Sequence, residues 1–199
     1  MITRKEMIRM LLKEGLLSWL ANNSFESVTV TSLCKASGIT RSTFYLHYSN
    51  IMEIVDDLVD DAISYSRPGM VDNNNLQIIA KALSAASNSV SLREAYDSIF
   101  DRLPLCQRII RHKKYLPLFL DEQISEYVLQ RIIGREKDRQ GLVMAESLGV
   151  SFDVGVSVFV FLVHGLYAVN KQYKWSQSDE WLEAQKTIFE LVYRGLQSK

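Results

Sequence analysis

Gly38 separates two stretches that each read as a short helix, and that spacing limits what the N-terminal part of this chain can build. In the run Thr29–Ile54, TVTSLCKASGITRSTFYLHYSNIMEI, Thr29 is placed to cap a helix on which Val30, Leu33, Cys34 and Ser37 share one face. Gly38 supplies the left-handed conformation that ends such a helix. Thr40 is placed to cap a third helix, Arg41–Tyr48. A first helix, from about Thr3 to Asn22 with Ile8, Leu11, Leu12, Gly15 and Trp19 as its inner stripe, precedes the pair. Two short helices joined by a glycine-containing turn form a helix-turn-helix, a layout in which the second helix enters the major groove of DNA.

The helical wheel of Arg41–Tyr48 fits that role. Phe44 and Tyr48 lie one turn apart, and Ile39 adds to the same apolar side. Ser42, Thr43, Tyr45 and Leu46 face the other way, with Arg41 and His47 at the margins. Small hydroxyls near a helix start allow close approach to bases or phosphates. Arg41 can bind guanine or hold a phosphate, and Leu46 can touch a thymine methyl. The bland reading of these residues is a solvated face, with Arg41 paired to a carboxylate and His47 covering the helix end.

Charge is uneven although the formal net charge is zero. Residues 1–48 carry Arg4, Lys5, Arg9, Lys13, Lys35 and Arg41 against Glu6, Glu14 and Glu26. Residues 49–66 carry Glu53, Asp56, Asp57, Asp60 and Asp61 and no Lys or Arg. A polyanion is drawn to the first segment and repelled by the second. Asp56–Asp61 reads as a solvated face of a fourth helix that begins near Ser49 or Asn50 and stops at Pro68-Gly69.

Helical spacing continues through the rest of the chain, and no run alternates as a half-buried strand does. Beyond the polar loop Asp72–Asn75, helices are expected over Leu76–Ala86, Leu92–Leu103, Pro117 to about Arg135, Val150–Tyr173 and about Ser178–Gln197, with a break at Ser87–Ser91 and Pro104 in a first turn. The fold class is therefore all-α: a three-helix head over 1–48 and a helical-bundle body over 49–199. At 199 residues such a chain buries roughly 70% of its unfolded surface and needs no staples. Val150–Val169 is the most apolar stretch, but it contains Asp153 and His164, so it reads as a buried helix and not a membrane span. Cys34 and Cys106 form no CxxC pair, Lys13 and Glu14 interrupt any signal-like core, and both points fit a reducing cytoplasm. Cys34 reads as a small buried thiol.

Phe25–Ile54 closely resembles the TetR/AcrR family of bacterial regulators. The resemblance rests on the Thr-x-x-x-Leu second helix, the Ser-Gly-Ile-Thr turn and Ser-Thr-Phe-Tyr-x-His-Tyr in the third helix. It implies double-stranded DNA as partner, with Thr43 and Tyr45 at base and phosphate contacts, His47 at a phosphate contact and Thr29 as the second-helix cap. The full set of candidate DNA contacts is Thr29, Thr31, Arg41, Ser42, Thr43, Tyr45, Leu46, His47 and Asn50. One position departs from the family pattern. Ile51 stands where a Lys usually meets the DNA backbone, leaving Ser49, Asn50 and the fourth-helix N-terminus as compensating groups.

The resemblance also implies that the last two helices form a homodimer, and the residues agree. Val156, Phe159, Val160 and Val163 make one stripe, and Phe152, Phe161, Leu162 and Leu166 add apolar surface nearly all round, so this helix is expected to be buried on most sides. Trp181, Leu182, Ile188, Phe189, Val192 and Leu196 line the last helix. A small lipophilic or aromatic effector is expected in the body, with Tyr96, Phe100, Phe119, Tyr127, Phe159, His164 and Tyr167 as candidate contacts or plain core. The basic run Arg108, Arg111, His112, Lys113 and Lys114 reads as solvated surface, with binding of an acidic partner as the alternative. These features point to a repressor released from a palindromic operator by the effector; control by a protein partner is the alternative. Enzyme activity is not expected. There is no Ser-His-Asp order and no phosphate-cradling loop, and His47, His112 and His164 lack HExxH spacing. No metal or cofactor is expected.

Overall fold

The computed structural model describes residues 2–66, 75–86, 91–104, 107–108 and 113–197. Pro68-Gly69, most of the Asp72–Asn75 loop, the break before Ser91, and Cys106, Arg111 and His112 lie outside the described residues. The fold is all-α: the described residues contain no β-strand. The helices are α1 Arg4–Leu20, α2 Val30–Ser37, α3 Arg41–Tyr45, α4 Ile51–Ser66, α5 Asn75–Ser84, α6 Leu92–Ser98, α7 Leu116–Leu120, α8 Ser125–Leu148, α9 Phe152–Gln172 and α10 Asp179–Gln197. Two compact units divide them. The first comprises Met1–Tyr65 and Ile109–Gly134, the second Ser66–Arg108 and Arg135–Lys199.

In the first unit, helix starts are set by local chemistry. Thr3 caps α1 in a capping box with Glu6, and Thr29 caps α2 in one with Ser32. Each satisfies amide groups that a helix start leaves without partners. The buried stripe of α1 is Leu12, Leu16, Leu17 and Leu20. Leu11, expected inside, is 42% exposed, and Ile8 and Trp19 are half-buried. The stripe is rotated because α1 presents Arg9 and Lys13 to α4, where they pair with Asp57 and Asp61. Gly15 meets α2 so closely that a β-carbon there would collide with Ser37 Oγ.

The acidic run of α4 is therefore not a solvated face. Asp56, Asp57 and Asp61 are half-buried, and Asp56 accepts from Tyr127 Oη at 2.6 Å and pairs with Arg131 at 3.2 Å. The helix expected from Pro117 onward is also broken in two. Asp121 ends α7 and turns its carboxylate on the next backbone amides, Gln123 at 2.9 Å and Ile124 at 3.2 Å. Its other oxygen accepts from the Phe25 amide at 2.7 Å. One side chain thus starts α8 and holds it against the turn before α2.

In the second unit, α5, α6 and α10 enclose a core of Ile79, Leu83, Tyr96, Ile99, Leu103, Leu166, Trp181, Leu182 and Phe189. Polar groups inside it are linked. Tyr96 donates to Gln107 at 2.9 Å, Gln107 donates to Gln185, and Trp181 donates to Asn170 at 2.8 Å. The start of α9 crosses α8 at small residues, Gly155 against Gly141 and Ala145. Contrary to expectation, α9 is not enclosed on most sides: Phe161 is 72% exposed, Val154 46% and Phe152 44%. Leu191 on α10 is 72% exposed as well.

Candidate nucleic-acid interface

The segment from α2 to α3 is built as its sequence dictates. Gly38 closes α2 in the left-handed region at φ 67°, ψ 28°, where a β-carbon costs about 1 kcal/mol or more. Thr40 then caps α3, accepting from the Thr43 amide at 3.2 Å. Regular α3 spans Arg41–Tyr45, shorter than expected, yet His47 and Tyr48 still donate their amides to Phe44, at 2.9 and 3.0 Å. The turn thus carries on to Tyr48.

The two sides of this segment divide cleanly. Phe44 and Tyr48 are 0% and 3% exposed and pack against each other, their ring centroids 6.2 Å apart. Tyr45 and Leu46 point outward at 53% and 81% exposure. Arg41 and Ser42 are exposed, and Thr43 and His47 half-buried. His47 Nδ1 is enclosed without a partner, which leaves Nε2 as the nitrogen able to meet an outside acceptor. Thr43 and Ser42 hydroxyls both lie within hydrogen-bond distance of Thr40 Oγ1, at 2.8 and 3.0 Å, so their orientation is set before any ligand arrives. Thr29 and Thr31 are exposed at the start of α2. Cys34 is buried beneath it, and burial pushes its thiol up from the ordinary range.

The start of α4 is occupied from within. Asn50 Oδ1 accepts from the Glu53 amide at 3.1 Å, and the Glu53 carboxylate accepts from the Ser49 amide at 2.8 Å. Ile51 is half-buried. An internal anion therefore stands beside the groups expected to compensate for the missing Lys. The head's cations divide as well. Arg9 and Lys13 are taken up by α4, whereas Arg4, Lys5, Lys35 and Arg41 are exposed.

Sequence reasoning missed Arg9, Glu53 and Asp57. Glu53 was detectable, since Asn50-x-x-Glu53 follows the pattern of a capping box. Arg9 and Asp57 carry no local signal, because their partners are 48 residues apart.

The candidate effector residues do not fall in one unit. Phe119 and Tyr127 belong to the first, and Tyr96, Phe100, Phe159, His164 and Tyr167 to the second. Tyr127 is 39% exposed, with its hydroxyl on Asp56. Tyr96 and Tyr167 are buried against Trp181 and Trp175 in edge-on ring contacts. His164 Nδ1 lies 2.9 Å from the Val160 carbonyl of its own helix. Among the described residues no three His, Cys, Asp or Glu side chains gather as a metal would require.

No family model matches this chain, and no curated protein matches it. Among solved structures it is similar to the TetR family repressor AlkX from Dietzia sp., described as implicated in biodegradation of n-alkanes, at 13% identity over 95% of each chain with a TM-score of 0.41.

Proposed function

We propose that this protein is a sequence-specific DNA-binding transcriptional regulator: a homodimeric repressor that leaves a palindromic operator when a small lipophilic or aromatic effector binds. The observation that carries the reading is the two-sided 41–48 segment. It is locked from behind by Phe44 and Tyr48 and entered through a left-handed Gly38, and it presents Arg41, Ser42, Tyr45 and an 81%-exposed Leu46 outward. A short helix gains nothing from exposing an aromatic ring and a leucine to water. Both suit a groove, where Leu46 meets a thymine methyl and Arg41 meets guanine or phosphate.

In this reading residues 1–48 read DNA and 49–199 carry dimerisation and effector response. The apolar outer surface of α9 and α10 is covered by the same surface of a second copy, as a two-fold interface requires. The two reading segments then stand about 34–36 Å apart, in successive major grooves. Such a protein works in the cytoplasm. An effector that favours a different spacing shifts the population away from the DNA-competent form.

Binding selection from random duplex DNA tests the reading, followed by anisotropy titration of the selected duplex and a scrambled one. Wild type is expected to prefer the selected duplex by ~10³-fold or more, and Arg41→Ala and Tyr45→Ala to lose that preference. Selection that converges on no sequence would refute it.

A further inference from the structure

The reading segment is fixed by a side chain that lies outside it. Tyr48 Oη donates to Asp57 Oδ2 at 2.6 Å. The same oxygen accepts from Arg9 Nε at 3.0 Å and Nη2 at 2.5 Å. The Arg9 guanidinium also lies 4.8 Å from the centroid of the Tyr48 ring. Three elements, α1, the end of the reading segment and α4, therefore meet at one carboxylate oxygen. Phe44 holds the segment by close apolar packing, and the directional Tyr48–Asp57 hydrogen bond adds a fixed angle of rotation.

We propose, on the DNA-reading function argued above, that Asp57 is a positioning residue for sequence discrimination. Through Tyr48 it sets the rotation of the 41–48 segment about its own axis, and with it the angle at which Thr43 and Tyr45 meet base edges. A carboxylate that only stapled α1 to α4 would affect every DNA sequence alike, because phosphate contacts carry no sequence information. Asp61, one turn further along α4, supplies the comparison: it pairs with Lys13 of the same α1 and has no bond to Tyr48.

The test uses the full chain and two probes, the duplex that wild type selects and a scrambled duplex of equal composition. Asp57→Ala, Tyr48→Phe and Asp61→Ala are titrated by anisotropy below their unfolding temperatures, which are measured in parallel; Ala is used because an Asn amide oxygen would still accept from Tyr48. Asp57→Ala and Tyr48→Phe are expected to cut the selected-to-scrambled ratio by about tenfold or more, since small misplacements of a recognising group are costly. Scrambled-duplex affinity stays within about twofold in Tyr48→Phe and changes alike in Asp57→Ala and Asp61→Ala, which each remove one carboxylate. Asp61→Ala leaves the ratio unchanged. The double variant Tyr48→Phe/Asp57→Ala loses no more than Asp57→Ala alone, as partners in one bond do. A ratio that survives in Asp57→Ala, or that falls equally in Asp61→Ala, overturns the positioning role and leaves the DNA-reading function standing. Should Asp57→Ala fail to unfold cooperatively, Tyr48→Phe, which removes one hydroxyl, decides alone. Failure of wild type to select any duplex overturns both.

Discussion

A β-carbon placed on Gly155 would fall on the carbonyl oxygen of Gly141 and stand 2.7 Å from the Ala145 amide nitrogen. Both obstacles are backbone, so neither can turn aside. Gly155→Ala is expected to force α8 and α9 apart and to cost about 1–3 kcal/mol, the range for overpacking. In a chain of this size that lowers the midpoint of thermal unfolding by about 2–12 °C. Gly134, also inside α8, has nothing within 4 Å of its β-position. Gly134→Ala should raise the midpoint, by up to about 1 kcal/mol of stability. Calorimetry on the two variants reads the opposite signs directly.

Phe161 and Leu191 expose most of their side chains in the single chain. Phe161→Glu combined with Leu191→Glu is expected to convert a dimer into a 22.8 kDa monomer, because a charge in a dry interface goes unpaired. Sedimentation of both proteins at micromolar concentration checks this. A wild type that already sediments as one chain would contradict the dimer.

On the proposed DNA-binding function, Ile51 and Glu53 are expected to bear on phosphate binding at the start of α4. Ile51→Lys should strengthen DNA binding and steepen the dependence of log K on log salt by about 0.9 per added phosphate contact. Glu53→Gln should also strengthen binding, because it removes a carboxylate from the Ser49 amide. Unchanged affinity in both variants would place the α4 start away from the DNA backbone.

The Tyr48 phenol is held well above its ordinary value of 10.0, first by burial and then by its hydrogen bond to Asp57. The folded protein thus binds this proton more tightly than the unfolded chain does. The stabilisation is complete below about pH 10 and is lost as pH rises above it. Urea midpoints should therefore fall as pH rises above about 10 in wild type and fall less in Tyr48→Phe. Parallel curves would remove Tyr48 from the alkaline transition.

Much of the head was legible in its sequence. The caps Thr29 and Thr40, the left-handed Gly38 and the inward pair Phe44 and Tyr48 depend on neighbours within four residues, and a helical wheel sees that far. Asp121 carried a local signal for a helix break, since it accepts from the Gln123 and Ile124 amides, whereas its hold on the Phe25 amide, 96 positions away, was invisible in the sequence. Leu11 looked internal because periodicity alone cannot reveal that Arg9 and Lys13 claim the neighbouring face of α1. The Gly141–Gly155 crossing was missed for a related reason. A glycine inside a helix signals close approach only once its partner helix is known. In α9 the all-round apolar pattern was read as a helix buried on most sides, whereas the single chain leaves Phe152, Val154 and Phe161 exposed.

The ion pairs between α1 and α4 also constrain how this sequence can drift. Arg9 faces Asp57, and one turn on Lys13 faces Asp61. Reversing one charge sets like beside like, whereas exchanging both members of a rung keeps the attraction. Positions 13 and 61 can trade signs together in descendants of this chain only if Lys114, on which Asp61 also acts, changes with them. Positions 9 and 57 cannot, since Tyr48 needs an acceptor at 57, and their charges should be inherited as a fixed pair.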